Sequence, residues 1–117
     1  MITNHTQKVH LARNCEIASG FFGKMKGLMF SAPKPSTGFV MWFNSMSIRG
    51  IHTCFVKEPI DVIYLDETWK VVEIVKRLEP YSFHQPTQKS QFIVELPGNI
   101  LTKKNCRVGD TISIVES

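Results

Sequence analysis

The chain has 117 residues, 43% of them hydrophobic and 21% charged, with a formal net charge of +4 and three cysteines. That length and balance describe one folded domain over residues 1–117 and exclude a disordered chain. No apolar run reaches the roughly 18 residues of a membrane-spanning helix, and Met1 to Lys8 lacks an apolar signal core, so a cytoplasmic location with no membrane partner is expected.

Cys15, Cys54 and Cys106 are far apart and form no CxxC pair, which excludes a zinc ribbon or a thioredoxin-like motif. Reduced thiols, no structural metal and no cofactor are the expectation. Charge is uneven. Residues 1–57 hold seven Lys/Arg against Glu16 alone, a net of +6, while residues 58–117 hold seven against nine acids, a net of −2. The basic half is attractive to phosphate. Its lysines are scattered, however, without a run or a recognisable nucleic-acid motif beside them.

In chain order, Val9 to Ala12 alternates as a short first strand, and Ile17 belongs either to it or to the next element. From Ala18 to Met29 the period changes. Phe21, Phe22, Met25, Leu28 and Met29 fall on one helical stripe, which predicts a short helix near the N-terminus. Gly20, Gly23 and Gly27 weaken it by about 1 kcal/mol each relative to Ala. Ser31 to Gly38 is a loop by composition. Strands are then expected over Phe39–Phe43, Ile48–Val56, Ile60–Leu65, Trp69–Leu78, Phe92–Leu96 and Thr111–Val115. Asp66 to Thr68 turns Ile60–Leu65 back onto Trp69–Leu78 as a hairpin, and Glu79 to Ser90 is a polar loop. About seven short strands and one helix indicate a mainly β domain, a mostly antiparallel barrel or sandwich.

Several motifs lie in order along nearly the whole chain. They are Lys24-Met25-Lys26-Gly27-Leu28-Met29, Ile51-His52, Phe55, Pro59-Ile60-Asp61-Val62-Ile63-Tyr64-Leu65-Asp66, Glu95-Leu96-Pro97-Gly98 and Gly109-Asp110. Together they resemble the uncharacterised family known as domain of unknown function 192, or uncharacterised protein family 0127. The resemblance implies a compact β-rich domain with one helix near the N-terminus and brings no established activity. That family tends to have Arg where Lys24 stands and Met-Phe where Thr53-Cys54 stands. Lys does not replace Arg at a bidentate site, so the resemblance implies a weaker hold here on any anionic ligand.

His52, Asp61 and Glu95 are the polar residues most deeply set in apolar strand sequence. By strand periodicity Asp61 shares a face with Ile63 and Leu65, and Glu95 shares one with Ile93. Two carboxylates and an imidazole converging on a cavity would run acid/base chemistry. The structural alternative is a buried polar network with Arg49, Lys24 or backbone amides that fixes register. Asp61, just after Pro59, is expected to be such an anchor. Glu95 has a further reading as a strand-end acceptor near Gly98, and Asp110 as a turn residue bonding its own backbone.

A His52–Cys54 pair fails both as a metal site, with two ligands only, and as a catalytic dyad, since residues two apart on a strand are about 7 Å apart. Met25, Met29, Met41 and Met46 with Phe21, Phe22 and Trp42 fit core packing or an adaptable apolar surface. With no phosphate loop, nucleophile elbow or metal cluster, the sequence points to a small binding domain without catalysis. Its partner would be a small ligand or a protein, and the chain itself a monomer or weak dimer. The polar cluster for that role is Lys24, Arg49, His52, Asp61 and Glu95. The rival readings are an acid/base or hydrolytic enzyme using Asp61, Glu95 and His52, and nucleic-acid association through the basic half.

Overall fold

A computed structural model describes residues 1–19, 36–53 and 57–115 of the chain. The domain is mainly β, and its described strands sort into three sheets with no closed barrel among them. Strands β1 (Ile2–Asn4), β2 (Val9–Ala12) and β10 (Ile112–Ile114) make a three-stranded sheet in the order β10-β1-β2. Strands β3 (Asn14–Ser19), β4 (Thr37–Ser47), β6 (Ile60–Leu65), β7 (Val71–Leu78) and β9 (Ser90–Pro97) make the central sheet, ordered β3-β4-β9-β6-β7. A two-stranded ribbon joins β5 (Ile51–His52) to β8 (Phe83–His84). All described pairs are antiparallel except β3 with β4.

Strand β6 is buried at every position, as its unbroken apolar run requires of a strand paired on both sides. The expected hairpin forms: β6 and β7 pair antiparallel, with Ile63 opposite Ile74. Its turn is held by Asp66, whose Oδ1 accepts from the Thr68 and Lys70 amides and from the Thr68 hydroxyl.

Alternation along the central strands gives the sheet two apolar faces. On one, Val40, Ile63, Leu65, Val94 and Leu96 pack with Ile2, Leu11 and Ile112 of the three-stranded sheet. On the other, Met41, Val62, Tyr64 and Ile93 pack with Ile51 of the ribbon and with Phe39 and Phe43.

Three strands lie where none was expected, β1, β3 and β8. Ala18 and Ser19, assigned to the expected helix, belong to β3, and the rest of that segment, with Lys24, Met25 and Met29, lies outside the described residues. The Ile48–Val56 strand shortens to Ile51–His52, with Cys54 to Val56 outside the description. Among the described residues a short helix, α1 (Ile100–Lys103), stands after Pro97-Gly98. At that point two expected motifs meet. The Gly98 amide donates to the Pro59 carbonyl at 3.1 Å, and a β-carbon at Gly98 would lie 2.8 Å from that oxygen. Glycine is required by this close approach.

Candidate functional site

The two buried carboxylates lie on opposite faces of the central sheet. In the β6–β9 register Asp61 pairs with Leu96 and Val62 with Glu95, so Asp61 points toward Ile63 and Leu65 while Glu95 points toward Val62 and Ile93.

Asp61 is fully buried, and both its oxygens are engaged by backbone donors. Its Oδ1 accepts from the Arg77 amide at 2.8 Å, and Oδ2 accepts from the Leu101 amide at 2.8 Å. Arg77 sits in a bulge: from Ile60 to Val62 the chain takes two steps on β6 against three on β7, from Leu78 to Val75. Arg77 therefore has φ +55° and an amide with no place in the ladder. Leu101 lies in the first turn of α1, whose own N-cap residue, Asn99, makes no side-chain cap bond. One carboxylate thus satisfies a bulge and a helix start, two places where backbone donors are orphaned.

Glu95 stands in contrast. It is 6% exposed, and its Oε2 is buried with no hydrogen-bond partner among the described residues. Phe39 of β4 and Val62 of β6 flank it in register, with Ile93 beside it on its own strand. In this apolar setting burial pushes its carboxyl up to about 8, so the protonated form prevails at neutral pH. For the further reading of Glu95 as a strand-end acceptor, Oε2 accepts no bond from the described residues near Gly98.

On the same face a polar chain runs past Glu95. Tyr64, opposite Ile93 on β6, bonds through its hydroxyl to His84 Nδ1 at 3.0 Å, and His84 Nε2 faces Glu73 Oε2 at 3.5 Å. Glu73 is the register partner of Tyr64 across β7, and its Oε1 accepts from the Thr87 amide and hydroxyl and the Gln88 amide. Burial raises the Tyr64 phenol well above its usual range, and the charges of Glu73 and Glu95 add to that. The ribbon positions His84. Thr53, fully buried, donates to the Glu79 carbonyl and accepts from the Ser82 amide, which fixes the segment leading into β8.

The remaining sequence-derived site residues do not join this group. His52 is exposed and pairs with Phe83. Arg49 donates to the Ser90 carbonyl at 2.7 Å and lies 3.9 Å over the Phe43 ring. Lys24 lies outside the described residues. Asp110, read as a turn residue, does accept from the Arg107 amide of its own turn, and it also accepts from Asn4 Nδ2 at 2.8 Å, binding the turn to β1. Cys15 and Cys106 are buried and neither is in a disulfide. Among the described residues no three His, Cys, Asp or Glu side chains gather as metal ligands, and no helix is long and apolar enough to cross a membrane.

Tyr64, Glu73 and His84 were not singled out by sequence reasoning. Tyr64 and Val62 share a period-2 face in β6, but Glu73 comes opposite Tyr64 only through the bulge between Leu65 and Tyr64 in the β6–β7 register.

Comparison with known proteins agrees with this architecture and with the motifs that carry it. Two archaeal relatives are each 30% identical to the chain: UPF0127 protein PH1112 of Pyrococcus horikoshii over 112 residues, covering 96% of both chains, and UPF0127 protein PF1050 of Pyrococcus furiosus over 109 residues, covering 93% of both. A crystal structure of a protein of unknown function from Novosphingobium aromaticivorans superposes with a TM-score of 0.84 at 21% identity, over 97% of this chain and 81% of that one. A Sinorhizobium meliloti protein described as a "putative transcription regulator" superposes at 0.78 with 17% identity, over 85% of this chain and 79% of that one. The pattern of the DUF192 family, described as uncharacterized ACR, matches residues 2–114. With the Pro-Ile-Asp and Glu-Leu-Pro-Gly strands paired and the Gly-Asp turn closing on β1, the chain belongs to the DUF192 family.

Proposed function

We propose that this chain is a small cytoplasmic binding domain that takes a small ligand without catalysis, and that its binding face is the Glu95 side of the central sheet. We read the architecture as a sandwich, with the three-stranded sheet laid on the opposite face. One observation carries the reading: a buried Glu95 oxygen without a partner among the described residues, set among Phe39, Val62 and Tyr64. An orphaned buried polar atom costs stability and is retained where something else completes it.

The enzyme alternative draws its acid and base from Asp61, Glu95 and His52. It is disfavoured because Asp61 lies on the other face with both oxygens occupied, and His52 is exposed. The nucleic-acid alternative rests on the basic half alone. At 17% identity the description of the Sinorhizobium protein brings only its fold.

A thermal-shift screen of metabolites on wild type and on Glu95→Gln tests the reading. A ligand at a hundred times its dissociation constant adds about 2.7 kcal/mol, so wild type should gain a clear midpoint shift that the variant loses. A screen in which no compound shifts wild type, or in which both proteins shift equally, sinks it.

A further inference from the structure

On the Glu95 face the acceptors differ in how far they are met. Glu95 Oε2 has no partner among the described residues. Glu73 Oε1 takes three donors and so acts as a pure acceptor, with Oε2 turned to His84 Nε2. In the neutral ring a carboxylate oxygen 3.5 Å from Nε2 favours the proton there, which leaves Nδ1 to accept from the Tyr64 hydroxyl. The Tyr64 oxygen then presents lone pairs and no hydrogen to its surroundings. Tyr64 and Glu95 are diagonal neighbours on adjoining strands, since Ile93 and Val62 are their direct register partners. Aromatic rings of Phe39, Phe43 and Tyr64 belong to the same cluster, and ring faces attract cations.

From this arrangement, and resting on the binding reading above, we infer that the Glu95 face binds a small organic cation carrying N–H donors, of the primary ammonium class, with the Glu95 carboxylate as counter-ion and the Tyr64 oxygen as second acceptor. The ligand supplies the donor that Glu95 Oε2 lacks among the described residues. Binding releases the proton held by the buried carboxyl, because only the ionised form pairs with a cation.

The titratable groups on this face are Tyr64 on β6, Glu73 on β7 and His84 on β8, while the Arg49 guanidinium is turned to the Ser90 carbonyl and the Phe43 ring. None of them donates a hydrogen bond to Glu95 Oε2. With that carboxyl held up to about 8, affinity for a cation climbs with pH, by roughly 50-fold between pH 6 and pH 8, and flattens above.

The test uses n-propylammonium, with propionamide and propionate as neutral and anionic counterparts of similar shape. Calorimetry in buffers of different ionisation enthalpy should find n-propylammonium bound with release of close to one proton at pH 6.5 and none at pH 9.5. Glu95→Gln should lose both the affinity and the pH dependence. Because that variant alters a buried group, the carboxyl carbon resonance of Glu95 in wild type provides a second reading: its titration midpoint should fall by more than about two pH units with the cation bound. Binding of propionamide or propionate on this face in preference to n-propylammonium overturns the cation assignment and leaves the binding domain standing. Failure of all three probes on wild type overturns the assignment as well. If the metabolite screen is also silent, the binding reading falls with it.

Discussion

Two carboxylates on neighbouring strands, one residue apart in register, have opposite fates. Asp61 is ringed by backbone donors, and Glu95 by hydrocarbon. Replacing Asp61 with Asn puts an amide group against one of two N–H donors, leaving an unmatched pair in a fully buried place. A loss of at least about 2 kcal/mol is expected in denaturant melts. An unchanged or raised midpoint contradicts the anchoring role. For Glu95 the sign runs through protons. Its folded value of about 8 lies above the 4.5 of an unperturbed glutamate, so the folded state holds the proton more tightly than the unfolded chain. The stability tied to that proton is complete below about pH 4.5 and is lost as pH rises toward 8, at roughly 1 kcal/mol per pH unit. Melts of wild type and Glu95→Gln across pH 5 to 8 should therefore diverge, the variant becoming the more stable of the two as pH rises. Parallel profiles contradict the buried protonated carboxyl.

At the level of elements, β6 was legible to the residue, because an apolar run between Pro59 and Asp66 has one reading as a buried strand. The side that each carboxylate takes within its own strand was legible too. Whether Asp61 and Glu95 share a face was not, since that depends on the parity of the β6–β9 register, set across thirty or more residues of chain. Bulges were equally hidden. Arg77 takes a positive φ although nothing in Val-Lys-Arg-Leu signals it, because the conformation is enforced by Asp61 accepting its amide. Its side chain is exposed, so substitution there reports on backbone alone. Arg77→Val should cost about 1–2 kcal/mol, because a β-branched residue resists the left-handed region, while Arg77→Gly should leave stability unchanged or raised. Equal effects of the two, read from chemical melts, argue against the bulge. The short strands β1, β3 and β8 escaped notice because two to six residues carry too little periodicity.

Across the whole molecule, burial is layered on both faces of one sheet. Strands β9 and β6 are each bonded on two sides in the middle of that sheet, whereas the ribbon β5–β8 is two residues long. Amide hydrogen exchange should accordingly be slowest in β6 and β9 and fastest in β5 and β8. A ribbon that exchanges as slowly as the central strands contradicts this ranking, and with it the view that His84 is carried on a readily opened element.

The placement of β1 has a consequence for the order in which the fold can be completed. Ile2, fully buried, sits between β2 and β10, opposite Ala12 on one side and Ile114 on the other. Strand β1 therefore cannot complete its pairing until residues 112–114 have been made. Until residue 114 emerges, the apolar side of the central sheet that holds Val40, Ile63 and Val94 lacks part of its cover. While the residues between β1 and β10 are being made, that surface stays partly uncovered, and the long sequence separation of this pairing lengthens its exposure to aggregation and to chaperones.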